Sequence, residues 1–302
     1  MTIDKLIEAI KEKKSPCIVG IDPEYEKLPA CYKTDDLAPH DAVLQWAMDV
    51  IDAVRDIVPA VKPQMAFFEV YGADGIRIHQ KIVEYAHRSG LLVIDDSKRG
   101  DIGNTARAYA YAHLAKDGPL NADFLTISPF LGTDSILPFL EVARRDGKGI
   151  FVLVKTSNPG SALISEAVTE GGKTLRAVLA EYVRKEGEEM VGKHGYSSLG
   201  AVVGATYPKE ARELRGIMKT SFFLVPGYGA QGGEVSDILP CFNADGLGAI
   251  VNSSRGVLYH HLLDPQFDGT RDSYLKIVKQ QAERMRDEIY CALKGTYPHM
   301  IY

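Results

Sequence analysis

The sequence predicts an α/β fold: a single closed (β/α)8 TIM barrel over residues 1–302, with an N-terminal helix closing the bottom. Eight short β-rich runs recur along the chain, and helix-period segments separate them. The runs are also nearly continuous in apolar residues, as parallel strands covered by helices must be. At 302 residues and 45% hydrophobic content, the chain is long enough for one large core. An open doubly wound sheet is the alternative. The first strand weakens it, because GIDPEYEKLP stands where a dinucleotide-binding sheet carries Gly-x-Gly-x-x-Gly.

The elements follow in order. The first 14 residues have helical spacing and belong under the barrel. CIVGID (17–22) is the first strand; residues 23–40, rich in Pro and small residues, form a long loop; residues 41–58 carry the apolar stripe of a helix. AVKPQ (60–64) and a helix at 73–89 make the second unit, LLVIDD (91–96) and 103–116 the third, and FLTISP (124–129) and 134–146 the fourth. GIFVLVK (149–155) leads into a second long loop at 157–171 and a helix at 172–192. LGAVVGA (199–205) precedes a helix at 208–219, FFLVPG (222–227) a short one at 233–240, and GAIVNSS (248–254) the closing helix at 271–294.

Composition excludes several function classes. A formal net charge of -5 opposes binding to nucleic acid or to an anionic membrane, while leaving room for a local basic pocket for a small phosphorylated ligand. No apolar run reaches the length needed to span a bilayer. Cys17, Cys31, Cys241 and Cys291 show no Cys-x-x-Cys spacing, and no signal-peptide pattern precedes them, which fits reduced packing thiols in a cytoplasmic protein. The eight histidines include the pair His260 and His261 but no His-x-His or His-Glu-x-x-His run, so no metal site is expected.

The chemistry collects at strand ends. In LLVIDDSKRGDIGNT (91–105), four apolar residues run straight into Asp96, Lys98 and Asp101. Strand alternation sends Asp96 and Lys98 to one face, and Asp101 follows a short Arg-Gly turn ahead of a helix that Thr105 helps open. Burying a charge costs several kcal/mol unless it is paired. Such a cluster is therefore an ion-pair lock or a catalytic array, and the motif alone favours the lock.

A barrel gathers its strand ends at one mouth, where active sites of this fold are built. Asp22 ends strand one, Lys62 lies in strand two, and Lys155, Thr156, Ser157 and Asn158 end strand five. Pro226-Gly227-Tyr228-Gly229-Ala230-Gln231-Gly232-Gly233 follows strand seven, and Asn252-Ser253-Ser254-Arg255-Gly256 follows strand eight. Either glycine-bearing loop alone is simply a turn with a surface side chain. Together, at adjacent strands, they favour a phosphate site, with Gln231 as an amide donor and Arg255 as a charge-assisted one. Lys62, Asp96, Lys98 and Asp101 balance two positive charges against two negative ones, so each lysine stays protonated while partly buried. An ammonium beside a carbon that develops negative charge stabilises it and then delivers a proton. A salt-bridge network tying strands two and three explains the pairing equally well, but not the polar groups at strands five, seven and eight.

On these residues the chain resembles orotidine 5'-phosphate decarboxylases of the longer bacterial branch. Asp96-x-Lys98-x-x-Asp101-Ile102-x-x-Thr105 is similar to the family signature, and Lys62-Pro63-Gln64-Met65-Ala66-Phe67-Phe68-Glu69 to the branch's second-strand motif. The resemblance covers about residues 15 to 260. It implies a cofactor-free barrel that acts as a homodimer, with active sites at the interface, and converts orotidine monophosphate to UMP and CO2 in pyrimidine biosynthesis.

By the same resemblance Lys98 is the proton donor, Asp96 the carboxylate beside the leaving CO2, and Lys62 the lysine that binds ribose and orders Asp96. Asp101 is supplied by the partner subunit, and Thr105 reaches the nucleotide across the interface. Asp22 binds ribose, Ser157 contacts the pyrimidine, and Pro226, Gln231 and Arg255 belong to the substrate-binding loops, the latter two as phosphate ligands. Ser254 stands where the shorter branch commonly has Gly before the arginine. Two alternatives are a Mg²⁺-dependent sugar-phosphate decarboxylase or aldolase of the same superfamily and a non-catalytic nucleotide-binding barrel. The first carries Glu on strand two where this chain has Lys62, and the second is expected to have lost Lys98 or Asp101.

Overall fold

The computed structural model describes residues 1–229 and 232–302. Helix α1 (Thr2–Lys13) leads into β1 (Cys17–Ile21), and the strands β2 (Ala60–Pro63), β3 (Leu92–Arg99), β4 (Phe124–Ile127), β5 (Gly149–Lys155), β6 (Ser197–Val203), β7 (Ser221–Val225) and β8 (Ala249–Ser253) follow. They pair in parallel in sequence order and close where Ile18 of β1 meets Asn252 of β8. The connecting helices are α2 (Pro39–Val54), α3 (Ala66–Glu69), α4 (Gly72–Arg88), α5 (Gly103–Leu114), α6 (Leu137–Asp146), α7 (Ala162–Ser165), α8 (Leu175–Gly187), α9 (Pro208–Ile217), α10 (Val235–Ile238), α11 (Arg255–Leu258) and α12 (Arg271–Thr296). The expected (β/α)8 barrel is the fold of this chain.

Alternation along each strand divides the core in two. Val19, Val61, Val93, Leu125, Val152, Phe223 and Val251 face outward into the layer shared with the helices. Ile18, Ala60, Ile94, Phe124, Phe151, Val202, Phe222, Leu224 and Ile250 face inward and fill the barrel. Ile3, Leu6, Ile7 and Ile10 of α1 join that inner cluster and are fully buried, so α1 closes the bottom as expected. Each such side chain contributes on the order of 1.5–3 kcal/mol by leaving water. Two glycines answer to the inner aromatic rings. A Cβ on Gly149 would lie 2.3 Å from the Phe124 ring, and one on Gly200 2.7 Å from the Phe151 ring.

Three expectations need correction. β3 continues to Arg99 instead of ending near Asp96, and its pairing with β4 slips between Asp95 and Arg99. Helix α5 starts at Gly103 behind Ile102, with no side-chain cap, so Thr105 lies inside its first turn and does not open it. The two long loops are partly ordered into turns: 3₁₀ segments at Tyr25–Lys27 and Ala30–Tyr32 in the first, and Pro159–Ser161 followed by α7 in the second. Short local turns of this kind leave no apolar period to read.

Arg215 of α9 ties the lower ends of β7 and β8 together. Its buried guanidinium donates to the carbonyls of Cys241 (2.7 Å), Met218 (2.7 Å), Ser221 (2.8 Å) and Gly248 (2.6 Å), and it lies 3.7 Å from the Phe223 ring centroid. Burial lowers its pKa to about 10, leaving it charged at neutral pH. Arg215→Met removes every one of these donors at once. It is expected to lower unfolding stability by roughly 3 kcal/mol or more, read from urea denaturation. A loss below about 1 kcal/mol would mean that those carbonyls do not depend on Arg215.

Candidate active site

The inner positions change character one step above the aromatic plug. Alternation carries β2 from Ala60 to Lys62 and Gln64, β3 from Ile94 to Asp96 and Lys98, β4 from Phe124 to Thr126, and β8 from Ile250 to Asn252. At the mouth lies a cavity of about 420 Å³. Asp22, Lys62, Asp96, Lys98, Ser157, Pro226 and Arg255 all line it, so residues spread over more than 230 positions of sequence meet at one place. Leu153, Val202 and Leu224 give it an apolar wall.

Asp96 is the centre. Its Oδ2 accepts from Lys62 Nζ at 2.6 Å and Gln64 Nε2 at 3.0 Å, and its Oδ1 from Lys98 Nζ at 2.6 Å and the Thr126 hydroxyl at 2.9 Å. Burial opposes ionisation of this carboxylate, but the two lysines outweigh it and hold Asp96 well below the usual carboxylate range. Burial likewise pulls Lys62 down, and Asp96 followed by Asp22 more than reverses it, so Lys62 is raised. The stabilisation from Asp96 is complete above its ordinary pKa and lost as pH falls through the depressed one. That from Lys62 is complete below its ordinary pKa and lost as pH rises through the raised one. Asp96 and Lys62 are therefore both charged across the neutral range.

The two lysines differ in access. The Lys62 side chain is only 5% exposed, whereas that of Lys98 is 45% exposed and reaches into the cavity. Lys98 also has φ +47°, a left-handed conformation that is strained for a residue with a side chain. Its backbone N–H donates to Thr126 Oγ1 at 3.0 Å.

Two buried acceptors at the ends of the neighbouring strands β1 and β8, Asp22 Oδ1 and Asn252 Oδ1, take no hydrogen bond from any described residue. A buried oxygen without a donor is costly, so both favour a ligand that brings hydroxyl or N–H groups. Ser254 Oγ accepts from Asn252 Nδ2 at 3.4 Å and occupies the space over Gly20, where a Cβ would lie only 1.9 Å from it. Any larger residue at position 20 would have to displace the Ser254 hydroxyl. In the loop after β7, Gly227 (φ +99°) and Gly229 (φ +69°) supply the turns, and Gly229 N–H donates to Gly233 O at 2.9 Å. Gln231 lies outside the described residues.

Not every expected residue enters the cavity. Asp101 and Thr105 lie outside its lining; the Asp101 carboxylate accepts from the Ile102 N–H at 2.8 Å. Lys155, grouped by sequence with the rim, is turned away. It is buried against Tyr207 and donates to Ser165 Oγ and Glu166 Oε1, each at 2.8 Å. Glu166 is also held by Arg176 at 3.0 Å, so Lys155 anchors the loop after β5 rather than facing a ligand. Gln64, Thr126 and Asn252 are site residues that the charged-residue pattern missed. Their signal was present in the alternation, two positions beyond Lys62, Phe124 and Ile250. Among the described residues no three His, Cys, Asp or Glu side chains gather in a way that could hold a metal ion.

The comparisons with known proteins agree with this geometry. Residues 15–266 match the model of the orotidine 5'-phosphate decarboxylase / HUMPS family. An orotidine 5'-phosphate decarboxylase of Rhodopirellula baltica is 44% identical over 85% of this chain and 88% of its own length. One from Clostridium tetani is 37% identical over 98% of this chain and 100% of its own. The structure of Leishmania donovani OMP decarboxylase superposes with a TM-score of 0.71 at 30% identity, covering 95% of this chain and 99% of that one. With a family match that spans most of its length, and with named relatives at 37% and 44% identity over most of the chain, the chain belongs to the orotidine 5'-phosphate decarboxylase / HUMPS family.

Proposed function

We propose that the protein decarboxylates orotidine 5'-phosphate to UMP and CO2, the step that completes UMP synthesis, without a metal or organic cofactor. The observation that carries this is Asp96 held between Lys62 and Lys98, with Lys98 projecting into a cavity that has an apolar wall. In the reaction the bond from C6 to the carboxylate carbon breaks and its electron pair stays on C6, in the plane of the ring. No π system accepts it, so electrostatic stabilisation must do so. The Lys98 ammonium places positive charge at C6 and delivers a proton from Nζ to that carbon, and the resulting amine regains its proton from solvent. Asp96, ionised throughout, faces the substrate carboxylate and keeps Lys98 aimed.

The remaining roles follow the resemblance. Asp22 and Lys62 bind the ribose, with the unpartnered Asp22 oxygen as an acceptor for its hydroxyls. Ser157 contacts the pyrimidine, Pro226 lies beside the bound nucleotide, and Gln231 and Arg255 take the phosphate. Remote phosphate binding then contributes to catalysis by helping to close the loops and exclude water. Donor chemistry favours a metal-free reaction: both Asp96 oxygens are already filled, and a lysine stands on β2 where the metal-dependent relatives carry a carboxylate. The whole chain works as one barrel, in the cytoplasm. Among the described residues no helix is long and apolar enough to cross a membrane. Two chains associate so that Asp101 and Thr105 of each complete the site of the other. The exposed apolar side chains of Val70, Ile102, Phe130 and Leu131 on the loops around the mouth fit such a contact.

The loss of orotate absorbance with purified protein and orotidine 5'-phosphate tests the activity. Turnover should survive EDTA and vanish in Lys98→Ala, while that variant stays folded and still binds UMP. Activity that disappears with chelator and returns with Mg²⁺ would move the chain to the sugar-phosphate chemistry of its superfamily. Near wild-type turnover in Lys98→Ala would remove the proton-donor role.

The composite site has its own test. Mixing inactive Lys98→Ala and Asp101→Ala proteins creates hybrid dimers in which one site has both substitutions and the other neither. With random exchange about half of the dimers are hybrids, each with one of two sites intact, so activity should recover to roughly a quarter of wild type. A mixture whose exchange is verified by native mass measurement, but which stays as inactive as its parents, would place Asp101 in its own subunit's site.

A further inference from the structure

Behind the catalytic face of β3 lies a second polar cluster that the reaction does not touch. Asp95 neighbours Asp96 but points the opposite way, and it is fully buried between the barrel and its helices. Its Oδ2 accepts from His113 Nδ1 of α5 at 2.6 Å, and its Oδ1 from the Ser97 hydroxyl in a short contact. The other nitrogen of that ring, His113 Nε2, accepts from Arg99 Nε at 3.3 Å, which fixes the ring with its proton on Nδ1. Arg99 in turn pairs with Glu69 of α3 at 2.5 Å, and its backbone carbonyl accepts from Ser128 N–H at 2.7 Å. His79 of α4 sits 3.7 Å from Asp95, and neither of its ring nitrogens has a hydrogen-bond partner among the described residues.

Lys98 lies in the middle of this arrangement. Its left-handed backbone is strained and persists only where the surroundings over-determine it. Inside the barrel its N–H donates to Thr126 Oγ1 and its Nζ to Asp96 Oδ1. Outside, Asp95 reaches both neighbours: Ser97 directly, and Arg99 through His113. The slip in the β3–β4 pairing falls on the same stretch, Asp95 to Arg99, where the ladder itself no longer fixes the chain. A fully buried carboxylate is a costly way to fasten a strand whose apolar neighbours already pack, so its bracketing of Lys98 calls for a reason.

We propose that Asp95 and His113 are positioning residues, which clamp residues 97–99 from behind and so hold the Lys98 ammonium in line with the carbon it protonates. This rests on the decarboxylase reading above. A misplacement of about 1 Å at a reacting group is enough to cost on the order of 100-fold in rate. Asp95→Asn and His113→Leu should therefore lower kcat by about 10- to 100-fold, with KM and UMP affinity within about twofold of wild type. Exchange of the UMP C6 proton with deuterated solvent should fall in parallel, because by microscopic reversibility it uses the same lysine. His113→Asn, which keeps a donor toward Asp95, should restore part of kcat.

A role confined to stability gives a different pattern: a lower melting temperature with kcat per folded molecule unchanged, and that result overturns the proposal. Should both variants fail to fold, Ser97→Ala, which deletes one hydroxyl of the bracket, decides the matter: a loss in kcat alone supports the clamp, and unaltered kcat contradicts it. A crystal structure of the folded variant separates this from the reading of the reaction. Lys98 relaxed out of its left-handed conformation supports the clamp whatever the substrate proves to be, and Lys98 unmoved refutes it.

Discussion

A carboxylate buried with two ammonium groups is expensive on every count except mutual attraction, and the mouth of this barrel is organised around that balance. Asp96 loses its water on burial and regains four donors, two of them cationic. Remove the carboxylate, and Lys62 becomes a buried cation with only the more weakly acting Asp22 and Asp95 to favour its charge. Remove either lysine, and the carboxylate keeps one cation and the two neutral donors. The three groups form a unit whose parts are each unfavourable alone, which fixes their relative positions more tightly than apolar packing would. The net effect is a lysine held by Asp96 and projecting into a cavity with an apolar wall, the arrangement on which the proposed function rests.

The barrel supplies that arrangement through one repeated constraint. Inward residues on each strand recur every second position, so the layer that begins as Ile18, Ala60, Ile94 and Phe124 around the end of α1 becomes Gly20, Lys62, Asp96 and Thr126 two residues later. The apolar plug beneath gives a rigid floor, and the site is the next layer up. Lys98 keeps its place in this series but with a left-handed backbone, at the slip in the β3–β4 ladder, and polar groups bond around it on both faces of β3.

Much of this was legible in the sequence. Eight apolar runs with helical segments between them gave the barrel, because parallel strands buried on both faces leave a strong signal. The clustering of Asp22, Lys62, Asp96, Lys98 and Arg255 was legible for a related reason: charge at the end of an apolar strand is costly and so stands out, whereas Ser157 and Pro226 entered through the family resemblance. The uncharged members, Gln64, Thr126 and Asn252, carry no such mark. Lys155 misled for the complementary reason, since charge at a strand end marks a buried ion pair as readily as a ligand. Its partner Glu166 lies 11 positions downstream in the loop at 157–171, and Arg176, which holds Glu166 in turn, lies 21 positions downstream in the next helix. The Asp95 cluster escaped notice because adjacent aspartates in a strand point in opposite directions, and only the pairing of α5 with β3 reveals what the outward one meets.

The central claim is that Asp96 stays ionised because two lysines share it. Carbon-13 NMR of protein labelled at its aspartate carboxyl carbons, with Asp96→Asn to assign the signal, observes this without reference to turnover. The Asp96 resonance should keep its ionised shift as pH is lowered to about 3, past the range where ordinary aspartates titrate. A midpoint at about 4 or higher, in protein that is still folded, would mean that burial outweighs the lysines and that the array described here does not carry the charge assigned to it.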